Sequence, residues 1–148
     1  MEECTGAIGE ANWQAARVFL GEDDLEMRSL MVTALRRAGH QVIATSNGLD
    51  LLRWIQLRRA MGGRSDHDLV VTDVHMPGAT GLEVLATVRR SQPGLPVVLV
   101  TAFGDADLRA SARQLGAAAI FDKPFSLVAL HTTVSRLVVG GCVALPSV

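Results

Sequence analysis

Lysine is almost missing from this chain. Of fourteen basic side chains in 148 residues, thirteen are arginine and one is Lys123. The arginines stand singly or in pairs and the formal net charge is −1. That excludes both the basic face of a nucleic-acid binder and a polybasic membrane patch. Cysteine is scarce as well. Cys4 and Cys142 sit near the two ends with no C-x-x-C and no metal spacing, which argues against a redox pair or a disulfide framework. The histidines His40, His67, His75 and His131 show no ligand spacing, so a zinc site is not expected. No apolar run approaches the roughly 20 residues of a membrane span. The first residues, with Glu2, Glu3 and Glu10, lack the basic and apolar regions of a signal peptide. A cytoplasmic protein is expected.

What is present is a chain 49% hydrophobic and 20% charged, long enough for one domain with a real core. Residues 1–15 read as a loose extension, 16–139 as the domain and 140–148 as a tail. Five short apolar runs lie at about 17–21, 41–45, 69–73, 96–101 and 119–122. Between them, helical spacing recurs: Met27, Leu30, Met31, Ala34, Leu35 and Ala38, then Leu51, Leu52, Trp54, Ile55 and Leu57. Leu82, Leu85 and Val88 follow, then an alanine-rich helix, then Leu127, Leu130, Val134 and Leu137. Ser46 or Asn47 can cap the second helix and Asp105 the fourth. Gly39 and Gly116 supply left-handed stops, and Gly62-Gly63-Arg64-Ser65 and Gln92-Pro93-Gly94 are loops. Trp13 and Trp54 read as packing residues, and the Leu and Val stripes as core.

The order βα, five times over, predicts an α/β fold with a doubly wound, five-stranded parallel sheet covered on both faces. In such a sheet the carboxyl ends of the strands share the edge where ligands bind. Four runs end in reactive residues: Val18-Phe19-Leu20-Gly21 before Glu22-Asp23-Asp24, Leu69-Val70-Val71-Thr72 before Asp73, Pro96 to Val100 before Thr101, and Ala119-Ile120-Phe121-Asp122 before Lys123. Acids, threonine and the one lysine should therefore meet, although they span a hundred positions. A slim ammonium and a planar guanidinium are not interchangeable in a crowded anionic site.

These residues resemble a bacterial two-component response-regulator receiver domain over roughly 16–139. The likeness is carried by Phe19-Leu20-Gly21-Glu22-Asp23-Asp24, by Asp73-Val74-His75-Met76-Pro77 with Gly81, by Thr101-Ala102, and by Lys123-Pro124-Phe125. It implies the flavodoxin-like (βα)5 receiver fold. It implies Asp73 as phosphoacceptor, with Mg²⁺ (or Mn²⁺) on Glu22, Asp23, Asp73 and the backbone carbonyl of His75, and Asp24 as a helix cap. By the same likeness Thr101, Ala102 and Lys123 hold the phosphoryl oxygens, the Lys123–Pro124 peptide is cis, and His75, Phe103 and Ile120 flank the pocket. The partner implied is a sensor histidine kinase or a histidine phosphotransfer protein. A homodimer through the fourth helix, fifth strand and fifth helix is possible on this basis, with no nucleic acid and no membrane.

The chemistry of the residues agrees. A hard dication takes oxygen ligands, a carboxylate forms an acyl phosphate by nucleophilic attack, and alignment with charge neutralisation is most of phosphoryl transfer. Each piece alone has a bland reading: acids start helices, aspartate turns a chain, threonine favours strands. The departures from the family are Ile120 where an aromatic ring is usual, Gly21 in place of a branched residue before the acids, and Ala79-Thr80 in place of Met-Asp. Gly21 is expected to weaken its strand slightly. The domain is expected to turn over no independent substrate, so it is not read as an enzyme. An aspartyl-phosphate phosphohydrolase needs a second acid where His75 stands, and an unphosphorylated docking module would have lost Asp73, Asp23 or Lys123.

Overall fold

Valine, leucine and isoleucine runs become strands here because both of their faces are covered. The computed structural model describes residues 15–62 and 67–139. Cys4, Trp13, Cys142, the Gly63–Ser65 part of one loop, the extension up to residue 14 and the tail from 140 lie outside the described residues. The strands are β1 (Arg17–Gly21), β2 (Gln41–Thr45), β3 (Asp68–Asp73), β4 (Val97–Thr101) and β5 (Ala119–Asp122). The helices are α1 (Leu25–Arg37), α2 (Gly48–Ala60), α3 (Gly81–Ser91), α4 (Ala106–Gln114) and α5 (Leu127–Val139). The strands pair in parallel in the order β2-β1-β3-β4-β5.

Alternate residues of each strand feed two cores. Phe19, Val70 and Leu99 join Leu51 and Ile55 of α2, Val84, Leu85 and Val88 of α3, and Ala112 of α4. Val18, Leu20, Leu69, Val71, Val98 and Val100 join Met31 and Leu35 of α1 and Leu130 and Val134 of α5. Each fully buried side chain of this size stabilises the fold by about 1.5–3 kcal/mol. The helix starts are set by side chains that accept a backbone N–H. Asp24 takes that of Met27 at 2.8 Å, Asn47 that of Asp50 at 2.8 Å, and Asp105 that of Leu108 at 2.8 Å. Thr80 and Glu83 form a reciprocal capping box.

Two sequence expectations need correction. Leu30, Trp54 and Leu57 are exposed and so are not core. A helix lying on a sheet buries one stripe, and these residues fall outside the stripes that hold Met31 and Leu35, or Leu51 and Ile55. Gly21 does not merely loosen β1. A Cβ there would sit 2.8 Å from Thr72 Oγ1 and 2.9 Å from both Leu51 and Met76, so the strand end is packed shut against its neighbours.

Candidate functional site

Parallel register builds the acid cluster. Gly21 pairs with Thr72, so the next residues along the two strands, Glu22 and Asp73, emerge side by side. Glu22 is fully buried, Asp73 is buried and Asp23 is exposed. One carboxylate oxygen from each of the three lies within 4.8 Å of the others. Lys123 arrives from the end of β5, its Nζ donating to Asp73 Oδ2 at 2.7 Å and to Glu22 Oε1 at 3.0 Å. The backbone N–H of His75 donates to Asp73 Oδ1 at 2.9 Å, and that of Asp24 to Glu22 Oε2 at 3.1 Å. The expectation that these residues share one rim holds for Glu22, Asp23, Asp73 and Lys123.

Burial pushes the Glu22 carboxyl above its ordinary value, and the neighbouring Asp73 charge adds to that; the bonds from Lys123 and Asp24 only partly offset them. Burial alone would lower Lys123, but its bonds to Asp73 and Glu22 outweigh burial and raise it. Three carboxylates facing one ammonium leave excess negative charge on hard oxygen donors. That donor set fits Mg²⁺ or Mn²⁺.

The other side of the cleft comes from β4. Thr101 is buried, pairs in register with Asp122, and accepts the backbone N–H of Lys123 on its carbonyl at 2.8 Å. Its Oγ1 accepts the N–H of Phe103 at 3.1 Å, while Ala102 is exposed. The Lys123–Pro124 peptide is cis, as the resemblance implied. His75 and Phe103 meet edge to face, ring centroids 5.9 Å apart at 69°. Ile120 packs against the α2–α4 core, and Phe121 turns to the opposite core beside Phe125.

One residue of this neighbourhood went unassigned in the sequence. Arg28, at the end of the first turn of α1, donates from Nη1 to the carbonyl of Glu22 at 2.9 Å and so fixes the acid loop from behind. A signal existed, because a cation at a helix amino terminus opposes the helix dipole and needs another reason to be there.

Comparison with known proteins agrees with this geometry. A family model described as the response regulator receiver domain matches residues 18–135. The chain is 35% identical over 121 residues to the DNA-binding transcriptional regulator NtrC of Rhizobium meliloti, covering 82% of this chain and 24% of that protein. It therefore spans about a quarter of that relative's length. Sporulation initiation phosphotransferase F of Bacillus subtilis is 27% identical over 81% of this chain and 91% of its own length. The solved structure of chemotaxis response regulator CheY4 of Vibrio cholerae superposes with a TM-score of 0.70 at 25% identity, over 84% of this chain and 99% of that one. With fold, site and family model in agreement, the chain belongs to the receiver domains of two-component response regulators.

Proposed function

We propose that Asp73 accepts a phosphoryl group from the phosphohistidine of a sensor kinase or histidine phosphotransfer protein, and that the domain thereby switches partner binding. A carboxylate oxygen of Asp73 attacks phosphorus, the P–N bond breaks with its electron pair going to the ring, and the imidazole leaves neutral because its other ring nitrogen already carries a proton. Lys123 and the Thr101 hydroxyl and Ala102 N–H bind the transferred oxygens. Glu22, Asp23, Asp73 and the His75 carbonyl would hold Mg²⁺ or Mn²⁺, which when bound neutralises charge on the carboxylates and the phosphoryl oxygens. The observation that carries the reading is Lys123 Nζ at 2.7 Å from Asp73 Oδ2, inside a cluster of three carboxylates.

For the Thr101 hydroxyl to turn toward a phosphoryl group it must give up the Phe103 N–H, which moves the loop before α4. The α4–β5–α5 face is then the surface whose partner affinity changes, a second copy of the chain included. The domain catalyses its own modification and turns over no separate substrate, in the cytoplasm. Incubation with Mg²⁺ and a small acyl phosphate donor should add one phosphoryl mass to the native chain and none to Asp73→Asn. Removing the metal with a chelator should abolish the gain. Equal gain in both chains, or none in the native one, would overturn the proposal.

A further inference from the structure

The β4–α4 loop is fastened at a second point, through the last residue of β5. Arg109, one turn into α4, pairs through Nη2 with Oδ2 of Asp122, the last residue of β5. The other oxygen of Asp122 occupies the space where Gly104 would carry a side chain, and a Cβ at Gly104 would also lie 3.1 Å from Thr101 Cγ2. The Asp122 carboxylate thus sits between loop and helix and touches both. Asp122 is the register partner of Thr101 and the chain neighbour of Lys123. The same loop is held from within by Phe103 N–H on Thr101 Oγ1.

We propose that Arg109, Asp122 and Gly104 form a latch that holds the β4–α4 loop and α4 in the unphosphorylated arrangement, and so sets how readily Asp73 is modified. The proposal rests on the phosphoacceptor reading of Asp73. If the Thr101 hydroxyl is to leave Phe103, residues 102–105 must shift, and the shift pulls Gly104 and Arg109 off a carboxylate anchored on β5. Work done against the latch is subtracted from the affinity of the site for a phosphoryl group. The pair is partly solvated, with side chains 32% and 49% exposed, which limits its effect to about two- to fivefold. Glycine at 104 is needed because any larger residue displaces the carboxylate.

The whole chain is tested with Arg109→Ala, with Gly104→Ala, and with the reciprocal exchange Arg109→Asp plus Asp122→Arg. Beryllofluoride with Mg²⁺ serves as the acyl phosphate mimic, and amide hydrogen exchange at Phe103 is followed in the unmodified protein. Arg109→Ala and Gly104→Ala should each tighten beryllofluoride binding and speed Phe103 exchange by about two- to fivefold. Affinity for Mg²⁺ alone should stay at the native value, and the reciprocal exchange should bring both readouts back to within about twofold of native. Native values in Arg109→Ala and Gly104→Ala would overturn the latch, as would an exchange variant as loose as Arg109→Ala. If the native chain itself binds no beryllofluoride, the phosphoacceptor reading fails instead, and the latch is judged on Phe103 exchange alone.

Discussion

Strand β3 begins and ends in an aspartate, and the two are buried almost equally, Asp68 at 6% exposure and Asp73 at 5%. Their surroundings differ in sign. Asp68 faces two guanidiniums, Arg58 Nε at 3.3 Å and Arg17 Nη1 at 3.7 Å, with its Oδ1 buried and making no hydrogen bond among the described residues. Asp73 faces two further carboxylates and one ammonium. Around Asp68, among the described residues, two guanidiniums face one carboxylate. Around Asp73, among the described residues, three clustered carboxylates share one ammonium. Burial alone therefore does not make a reactive carboxylate. What separates the two is whether the side chains around a buried carboxylate offset its charge or add to it.

The largest test exchanges the fates of these two residues. Asp73→Asn should lose all phosphoryl incorporation yet remain folded, since it relieves repulsion within the cluster. Asp68→Asn should keep incorporation and lose stability, because it strands two arginines. Truncating one partner of a fully buried pair costs about 3–5 kcal/mol. Here the Arg17 and Arg58 side chains are 31% and 27% exposed, and water recovers part of that, so a loss of about 1–3 kcal/mol is expected by denaturant unfolding. A stable Asp68→Asn or an unfolded Asp73→Asn would erase the contrast.

A second test concerns the choice of cation. Lys123→Ala should slow incorporation from an acyl phosphate donor by about a hundredfold, the effect of removing one preorganised charge from a transition state. Lys123→Arg should restore little of it, because a guanidinium fork cannot take one oxygen each from Asp73 and Glu22 in the space of a single ammonium. Arg58→Lys at the opposite edge should cost less than about 1 kcal/mol, as the point charge still reaches Asp68. Stopped-flow phosphorylation and melting curves together decide it.

The carboxyl edge was legible in the sequence and the amino edge was not, for a physical reason. Runs such as Val97 to Val100 announce buried strands, and a parallel sheet obliges the residues that follow them to share one rim, so the Glu22-Asp23-Asp24 acids, Asp73, Thr101 and Lys123 follow from order, while the choice of Glu22 and Asp23 among the acids came from the family resemblance. Asp68 stands just before an apolar run, after the polar Asp66 and His67, and looks like a strand boundary. Its partners, Arg17 and Arg58, come from another strand and from a helix end, and no spacing rule links them. Arg109 and Asp122 are hidden in the same way. The function of Gly21 was missed because what it avoids, Thr72, Leu51 and Met76, comes from another strand, a helix and a loop. Exposure of Trp54 was missed because helical spacing shows that a residue is apolar on a helix, not which stripe the sheet covers.

His40 gives the amino edge a pH dependence of its own. It is buried, with Nδ1 accepting the N–H of Ala16 at 3.0 Å and Nε2 beside Ser135 Oγ at 3.2 Å. That arrangement needs the neutral ring with its proton on Nε2. Burial, and then the charge of His131, lower its pKa from the ordinary 6.5. The unfolded chain therefore takes up the proton first as the pH falls. Stability is complete above about 6.5 and declines below it, by at most about 1.4 kcal/mol per pH unit for this group. Melts between pH 7.5 and 5.5 should show that slope in the native chain and a shallower one in His40→Gln. Equal slopes would remove His40 as the cause.

The smallest effect is expected at the mouth of the carboxyl edge. Phe103 is 76% exposed, an unfavourable place for a phenyl ring unless it covers something, and its contact with His75 bridges the two loops that follow Asp73 and Thr101. An edge-to-face contact is worth roughly 0.5–1.5 kcal/mol, so the pair can hold the mouth partly closed but cannot seal it. Phe103→Ser and His75→Ser should each shorten the life of the acyl phosphate by about threefold, because water then reaches phosphorus more often. The double variant should be little faster than either single one, since two rings that screen by touching are lost together when one goes. Additive effects would mean that each side chain acts alone, and an unchanged lifetime would leave the edge contact with no part in the chemistry.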